Sequence, residues 1–244
     1  MKTIGMEIDF SVNFDFRDKN ENISLQKIIE HFSLLVRELN NLSNENQDWY
    51  ETGYSKKQAL SHIAFKDGNI SNDTLAKWRE LYKKDYPLFI DSVWDGKSDY
   101  SSDICYRKMF YDDINRVNVE LNFVSQNTAI NMNDIIYFVL QLACYFDCSY
   151  INIESKGYRF LSKNVFPDRL SVGWMLYSPS IILPELIPQA AKVIPVIDGE
   201  NRKGTIVVST EEFFDGSKKE HIIRSNNLEI RLLDLGLLPL LAEI

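Results

Sequence analysis

A mixed α+β fold, mainly an antiparallel sheet packed against several helices, is what this 244-residue sequence predicts. Three observations lead there. The chain opens on strictly alternating apolar and polar residues, the period of a half-buried strand. Later segments carry apolar residues at three- and four-residue intervals, the period of a helix lying on a core. Strands come partly in runs and partly between helices, which favours an α+β arrangement over a doubly wound parallel sheet. With 45% hydrophobic residues the chain can bury a sizeable core.

In residues 4–16, Ile4, Met6, Ile8, Phe10, Val12, Phe14 and Phe16 share one face, and Glu7, Asp9, Ser11, Asn13 and Asp15 the other. A one-residue slip would bury the acids, so the register is set by the pattern itself. Ser24 is a helix cap, and Leu25, Ile28, Phe32, Leu35, Val36 and Leu39 form the stripe of the helix that follows. Residues 41–70 read as polar and irregular, with a short helix near Lys56–His62. A helix over Asn72–Asp85 turns Leu75, Trp78, Leu81 and Tyr82 inward, and Pro87 stops it.

Two strands, Ile104–Tyr111 and Arg116–Val124, form a hairpin about Asp112-Asp113-Ile114-Asn115. Asp134–Phe146 is apolar nearly all round, which predicts a central helix feeding a strand at Ser149–Glu154. Further strands are expected at Ser171–Tyr177, Lys192–Ile197, Thr205–Ser209 and Leu228–Leu233, with a short helix after a Thr210 cap. There is no internal repeat. Residues 1–244 read as one domain, and Gln126–Met132 is the only candidate seam between halves.

Lys plus Arg number 27 against 35 Asp plus Glu, a formal charge of -8. Such a chain repels nucleic acid and anionic lipid and attracts a basic partner. The N-terminus lacks a cationic leader followed by an apolar core, so no signal peptide is expected. Ile135–Phe146 is far shorter than the roughly twenty residues a bilayer span needs. Three cysteines form no even disulfide framework, and a reducing cytoplasm fits them.

Motifs that carry chemistry are scarce. No two glycines stand two apart, which removes the dinucleotide fingerprint. Gly199–Gly204 imitates a phosphate loop, but Thr205 stands where the lysine belongs and a strand follows, so it reads as a hairpin turn. His31, His62 and His221 are too scattered for metal ligation and read as structural or solvated. Cys144 and Cys148 would share a helix face, yet no further ligand lies within reach and they read as core residues. No Gly-x-Ser-x-Gly elbow occurs. Catalytic residues, metal ligands and a cofactor are therefore all expected to be absent. The enzyme alternative rests on Glu154-x-Lys156 at the end of an apolar strand, a pair that metal-dependent nucleases use, with Asp134 or Asp147 as a second acid.

The remaining feature is acidic. Asp91, Asp95, Asp99, Asp103, Asp112 and Asp113 stand against only Lys97, Arg107 and Lys108, beside the aromatics Trp94 and Tyr100. Acids steer a basic partner and aromatics anchor an interface. Partner binding is thus assigned to Trp94, Asp95, Asp99, Tyr100, Asp103, Asp112 and Asp113, with the wet face of strand 4–16 as a second candidate.

These segments have a family counterpart. The opening strand, the Ser24–Leu39 helix with Trp49 beyond it, Val93-Trp94-Asp95-Gly96, Gly204–Thr210 and Ile230–Pro239 together resemble the immunity protein 52 family of bacterial polymorphic toxin systems. The resemblance spans most of the chain, and where the family pattern has Trp-Asn-Gly this sequence has Trp94-Asp95-Gly96. It implies an intracellular antitoxin that binds a nuclease effector delivered by type VI secretion. Such a protein neutralises its partner by covering the active site or substrate cleft, with no chemistry of its own. A non-enzymatic adaptor is the other alternative, and an adjacent toxin gene is what distinguishes the two.

Overall fold

The computed structural model describes residues 3–13, 23–111 and 114–244. Phe14, Asp15, Phe16, Asp112 and Asp113 lie outside the described residues. The chain divides into two compact units, Met1–Ile4 with Asn13–Ile130, and Gly5–Val12 with Asn131–Ile244. Each unit is mixed α+β, with sheet dominating. Strand β1 (Ile4–Asn13) contributes most of its length to the second unit. Its alternation is realised, with Met6, Ile8 and Phe10 buried and Glu7 exposed.

In the first unit, α1 (Leu25–Ser43) starts at Ser24, whose side chain accepts from the Lys27 amide, and ends at Asn44 in the left-handed conformation. It is followed by β2 (Trp49–Glu51), α2 (Lys56–Ala59), β3 (Ile63–Lys66), β4 (Asn69–Ile70) and α3 (Asn72–Asp85). Then come β5 (Phe89–Trp94), β6 (Asp103–Tyr111) and β7 (Ile114–Ser125). The strands run β7-β6-β5-β2-β3-β4, and each neighbouring pair is antiparallel. Helices α1 and α3 are held on the sheet by an aromatic cluster. Phe32 of α1 meets Trp78 of α3 at a centroid distance of 4.8 Å, and Trp78 meets Phe89 of β5 at 5.3 Å. Each such pair adds about 1 kcal/mol beyond the area it buries.

Charged groups reinforce that packing. Lys77 of α3 reaches Glu51 of β2 at 2.9 Å and Asp91 of β5 at 3.4 Å. Thr74 donates to the other Glu51 oxygen at 2.6 Å, and Trp78 Nε1 donates to Asp91 at 2.7 Å. Asp91 is therefore a brace inside the unit. Lys108, set above against the acidic residues, is buried: its Nζ donates to the Ile23 carbonyl at 2.8 Å and lies over the Tyr82 and Tyr86 rings. Burial lowers its pKa to about 8.

The second unit contains α4 (Met132–Tyr145), β8 (Cys148–Glu154), β9 (Met175–Ser178), β10 (Lys192–Asp198), β11 (Asn201–Val208) and α5 (Lys219–Asp234). Its strands run β1-β8-β9-β11-β10, all antiparallel. Asn131 and Asp134 form the capping box that starts α4. This helix packs against β8 and β10 through one face and leaves Tyr137 and Tyr145 exposed, so it is not the all-round buried helix its composition predicts. Gly204 is required where it stands, because a Cβ there would lie 2.2 Å from the Ser178 carbonyl oxygen. The phosphate-loop imitation is indeed the β10–β11 hairpin turn, closed by the Asp198–Asn201 pair.

Three expectations are corrected here. Leu228–Leu233 is helical, as part of α5, and packs Leu228 and Leu232 into a core with Val172, Leu176 and Val207. No helix begins after Thr210; the chain reaches Lys219 before α5 starts. Cys144 and Cys148 share no helix face, since α4 ends at Tyr145 and Cys148 is a buried residue of β8, where desolvation raises its thiol pKa.

Candidate functional site

The acidic segment singled out by sequence becomes the connection between β5 and β6. Trp94 and Asp103 are paired across the two strands, and the Asp95 amide donates to the Ser102 carbonyl at 3.0 Å, so the loop is closed at its base. Gly96 takes φ +75°, and a Cβ there would sit 2.6 Å from the Tyr50 ring. Trp94 lies near Tyr50, with ring centroids 6.5 Å apart, and its Nε1 donates to the Glu51 carbonyl at 3.1 Å. This tryptophan is half-buried and fixes the loop base.

The carboxylates sort into inner and outer groups. The Asp95 side chain is fully buried, accepts the Lys97 amide at 3.1 Å, and lies 3.8 Å from Lys97 Nζ. Lys97 also pairs with Glu45. Burial raises the Asp95 pKa, and the Glu45 charge adds to the rise. Asp103 is half-buried and accepts from Asn122 at 3.2 Å; burial raises its pKa too, with Asp95 and Glu120 contributing. Asp99 and Tyr100 face outward, Tyr100 at 53% exposure with φ +59°. Thus Asp95 serves the loop's interior, contrary to its assignment as a contact residue.

Sequence reasoning missed the neighbouring contribution. The β2–α2 turn carries Tyr54, which is completely exposed, and Lys56 of that segment bonds Ser98 of the acidic loop. Leu60 is also exposed. Tyr54 lies in a polar stretch with no periodicity, so no pattern marks it. Beyond Glu45, the end of α1 borders a cleft of about 530 Å³ lined by Asn40, Asn41, Asn44, Glu45 and Asp67. The loop and its surroundings thus present two exposed tyrosines, Tyr54 and Tyr100, and the outward carboxylate of Asp99, near a polar cleft whose lining also includes Arg37.

The other candidates separate. On β1, Glu7 is exposed while Asp9 pairs with Arg159 at 3.6 Å. Glu154 is buried at the end of β8, where both oxygens accept the Arg159 amide at 3.2 Å. Burial, assisted by the charges of Asp9 and Glu7, raises its pKa to about 7. Lys156 is exposed and lies 3.6 Å from Asp215, and Asp134 is spent on the α4 cap. Among the described residues, no group of three or more His, Cys, Asp and Glu side chains is placed to hold a metal ion. His31 is buried and bonded to Tyr106 OH at 2.8 Å, and desolvation lowers its pKa to about 3. No described helix is long and apolar enough to cross a membrane.

By fold and surface, this is a mixed α+β protein with a braced aromatic and acidic loop. No family model matches the chain, and no curated protein matches it. Among solved structures, a Pseudomonas aeruginosa T6SS protein is similar, with a TM-score of 0.55 and 10% identity. The match covers 95% of this chain and 76% of that one, and at such low identity it is a likeness of fold.

Proposed function

We propose that this chain is a T6SS-associated immunity protein that binds a basic, nuclease-like effector and blocks its active site or substrate cleft. The observation that carries the reading is the β5–β6 loop. Its buried Asp95 braces the turn from within and the half-exposed Lys97–Glu45 pair ties it to the end of α1, while Asp99 and Tyr100 face outward. A loop ordered before binding loses little entropy on complex formation, and aromatic anchors contribute most of an interface's energy. Three further points support it: the net charge of -8, the resemblance to the immunity protein 52 family read from the sequence, and the likeness of fold to a T6SS protein. Inhibition in this reading is steric and electrostatic, and the protein makes and breaks no bond.

The test is co-expression with the product of the adjacent gene, followed by calorimetry. The wild-type chain is expected to bind and to suppress nuclease activity. Asp99→Lys with Tyr100→Ala weakens binding about a hundredfold, the loss of roughly 3 kcal/mol typical of central anchor residues, with the melting temperature unchanged. Charge reversal at Asp95 or Asp103 is the wrong probe, because both side chains serve the fold. Absence of any complex refutes the reading; a complex untouched by the double substitution refutes the surface.

A further inference from the structure

The second unit carries a loop that the proposed function does not use. Residues 155–163, between β8 and the approach to β9, hold Phe160 at 86% exposure and Leu161 at 57%. Two consecutive large apolar side chains in water are unfavourable unless something covers them. Nor is the loop slack. The buried Tyr158 donates its OH to Glu229 at 3.0 Å, Ser155 donates to the Phe214 carbonyl at 2.5 Å, and Lys163 Nζ donates to the Gly216 carbonyl at 2.6 Å. The Arg159 amide is held by Glu154, and the turn closes through Leu161 to Gly157 at 2.8 Å. Lys156 and Ser162 sit at φ +54°, a conformation that L residues adopt only when their surroundings impose it.

Charge identifies what the tip meets. The segment Ser155-Lys156-Gly157-Tyr158-Arg159-Phe160-Leu161-Ser162-Lys163 contains three cations and no acid. The two carboxylates paired with it are recessed: the Lys156 side chain is 62% exposed against 27% for its partner Asp215, and Arg159 38% against 15% for Asp9, while Glu7, opposite Glu154 on β1, is exposed. In each of these two pairs the cation is the outer member. We infer that this loop is a lipid anchor that sets Phe160 and Leu161 into an anionic phospholipid surface, with Lys156 and Arg159 at the headgroups. A convex two-residue tip suits a bilayer interface, which accepts apolar groups without a shaped pocket, better than a protein partner, which needs a broad complementary patch. The net charge of -8 predicts repulsion at long range. At physiological salt, however, screening over about 8 Å leaves the charges nearest the headgroups in control.

The experiment is sedimentation of the full chain with large unilamellar vesicles of equal parts phosphatidylglycerol and phosphatidylcholine, and with phosphatidylcholine alone. Binding is expected only to the anionic vesicles. Phe160→Ser with Leu161→Ser lowers it at least about tenfold, through loss of the inserted apolar surface. Lys156→Glu lowers it about fivefold or more. All three side chains are exposed, so unchanged melting curves confirm folding. No sedimentation with anionic vesicles, equal binding to both vesicle types, or binding that survives the double substitution overturns the anchor. A double variant that keeps its vesicle binding yet loses a protein complex assigns the loop to a protein partner instead, and equally overturns it.

Discussion

Two residues of the same type, Asp95 and Asp99, stand four apart in one loop and have opposite roles. The first is inside, 3.8 Å from Lys97, and the second is outside. Nothing in their sequence neighbourhood separates them, because an aspartate's destination is decided by strand pairing and by Lys97 folding back, both contacts beyond local reach. Glu154 makes the same point more strongly. Its tripeptide with Lys156 resembles a nuclease pair, yet the carboxylate is buried and the lysine points to Asp215. Burial raises the folded-state pKa of Glu154 from 4.5 to about 7. Below the lower value both folded and unfolded states are protonated and the residue contributes nothing to the pH dependence. Between the two values the unfolded chain releases a proton that the folded chain keeps, so stability falls as pH rises, by at most about 3 kcal/mol above neutrality. Glu154→Gln keeps an acceptor for the Arg159 amide without the buried charge. It should raise the melting temperature by several degrees at about pH 8 and leave it unchanged near pH 4. A variant less stable than wild type at the higher pH would show that the carboxylate's hydrogen bonds outweigh its desolvation.

Elements were legible where one periodicity ran unbroken. The opening strand, α1, α3 and the β6–β7 hairpin follow their patterns closely. Leu228–Leu233 misleads because Leu-Glu-Ile-Arg-Leu-Leu alternates over a short window, whereas the buried positions of α5 are His221, Ser225, Leu228, Glu229 and Leu232. That helical stripe contains polar members, and Glu229 is one of them only because Tyr158 and the amides of Val165 and Val172 satisfy it. The strands β2 to β4 are two to four residues long, too short to show a period. In β5 only Phe89 and Val93 are buried, while Asp91 interrupts the apolar face to serve the Lys77 network. The site loop hangs on β5, so missing that strand also hid which loop residues point inward. Gly96 is its conformational keystone: its positive φ and the Tyr50 ring both oppose a side chain. Gly96→Ala should destabilise the protein by about 2 kcal/mol, combining the left-handed penalty with displacement of Tyr50. It should also weaken partner binding more than that loss of stability explains when measured well below the melting temperature. Retained stability would mean that the loop relaxes freely and is not braced.

For the molecule as a whole, the decisive property is the sign of its field. A formal charge of -8 favours encounter with a basic partner, and the proposed complex forms between surfaces of opposite sign. Steering of this kind acts on approach: it raises the association rate at low salt and is lost as ions screen the charges, whereas dissociation depends on the short-range contacts of Asp99 and Tyr100. Stopped-flow association with the basic effector should therefore slow at least about tenfold as salt rises from roughly 0.02 to 0.2 M, with the dissociation rate nearly constant. Asp99→Lys should flatten the salt dependence only slightly, because one site changes a small part of the total field, but should speed dissociation markedly. The two measurements separate the long-range and local contributions that equilibrium affinity merges. Association that ignores salt would mean that the acidity serves something other than recognition, and the case for a cationic partner would then rest on the loop alone.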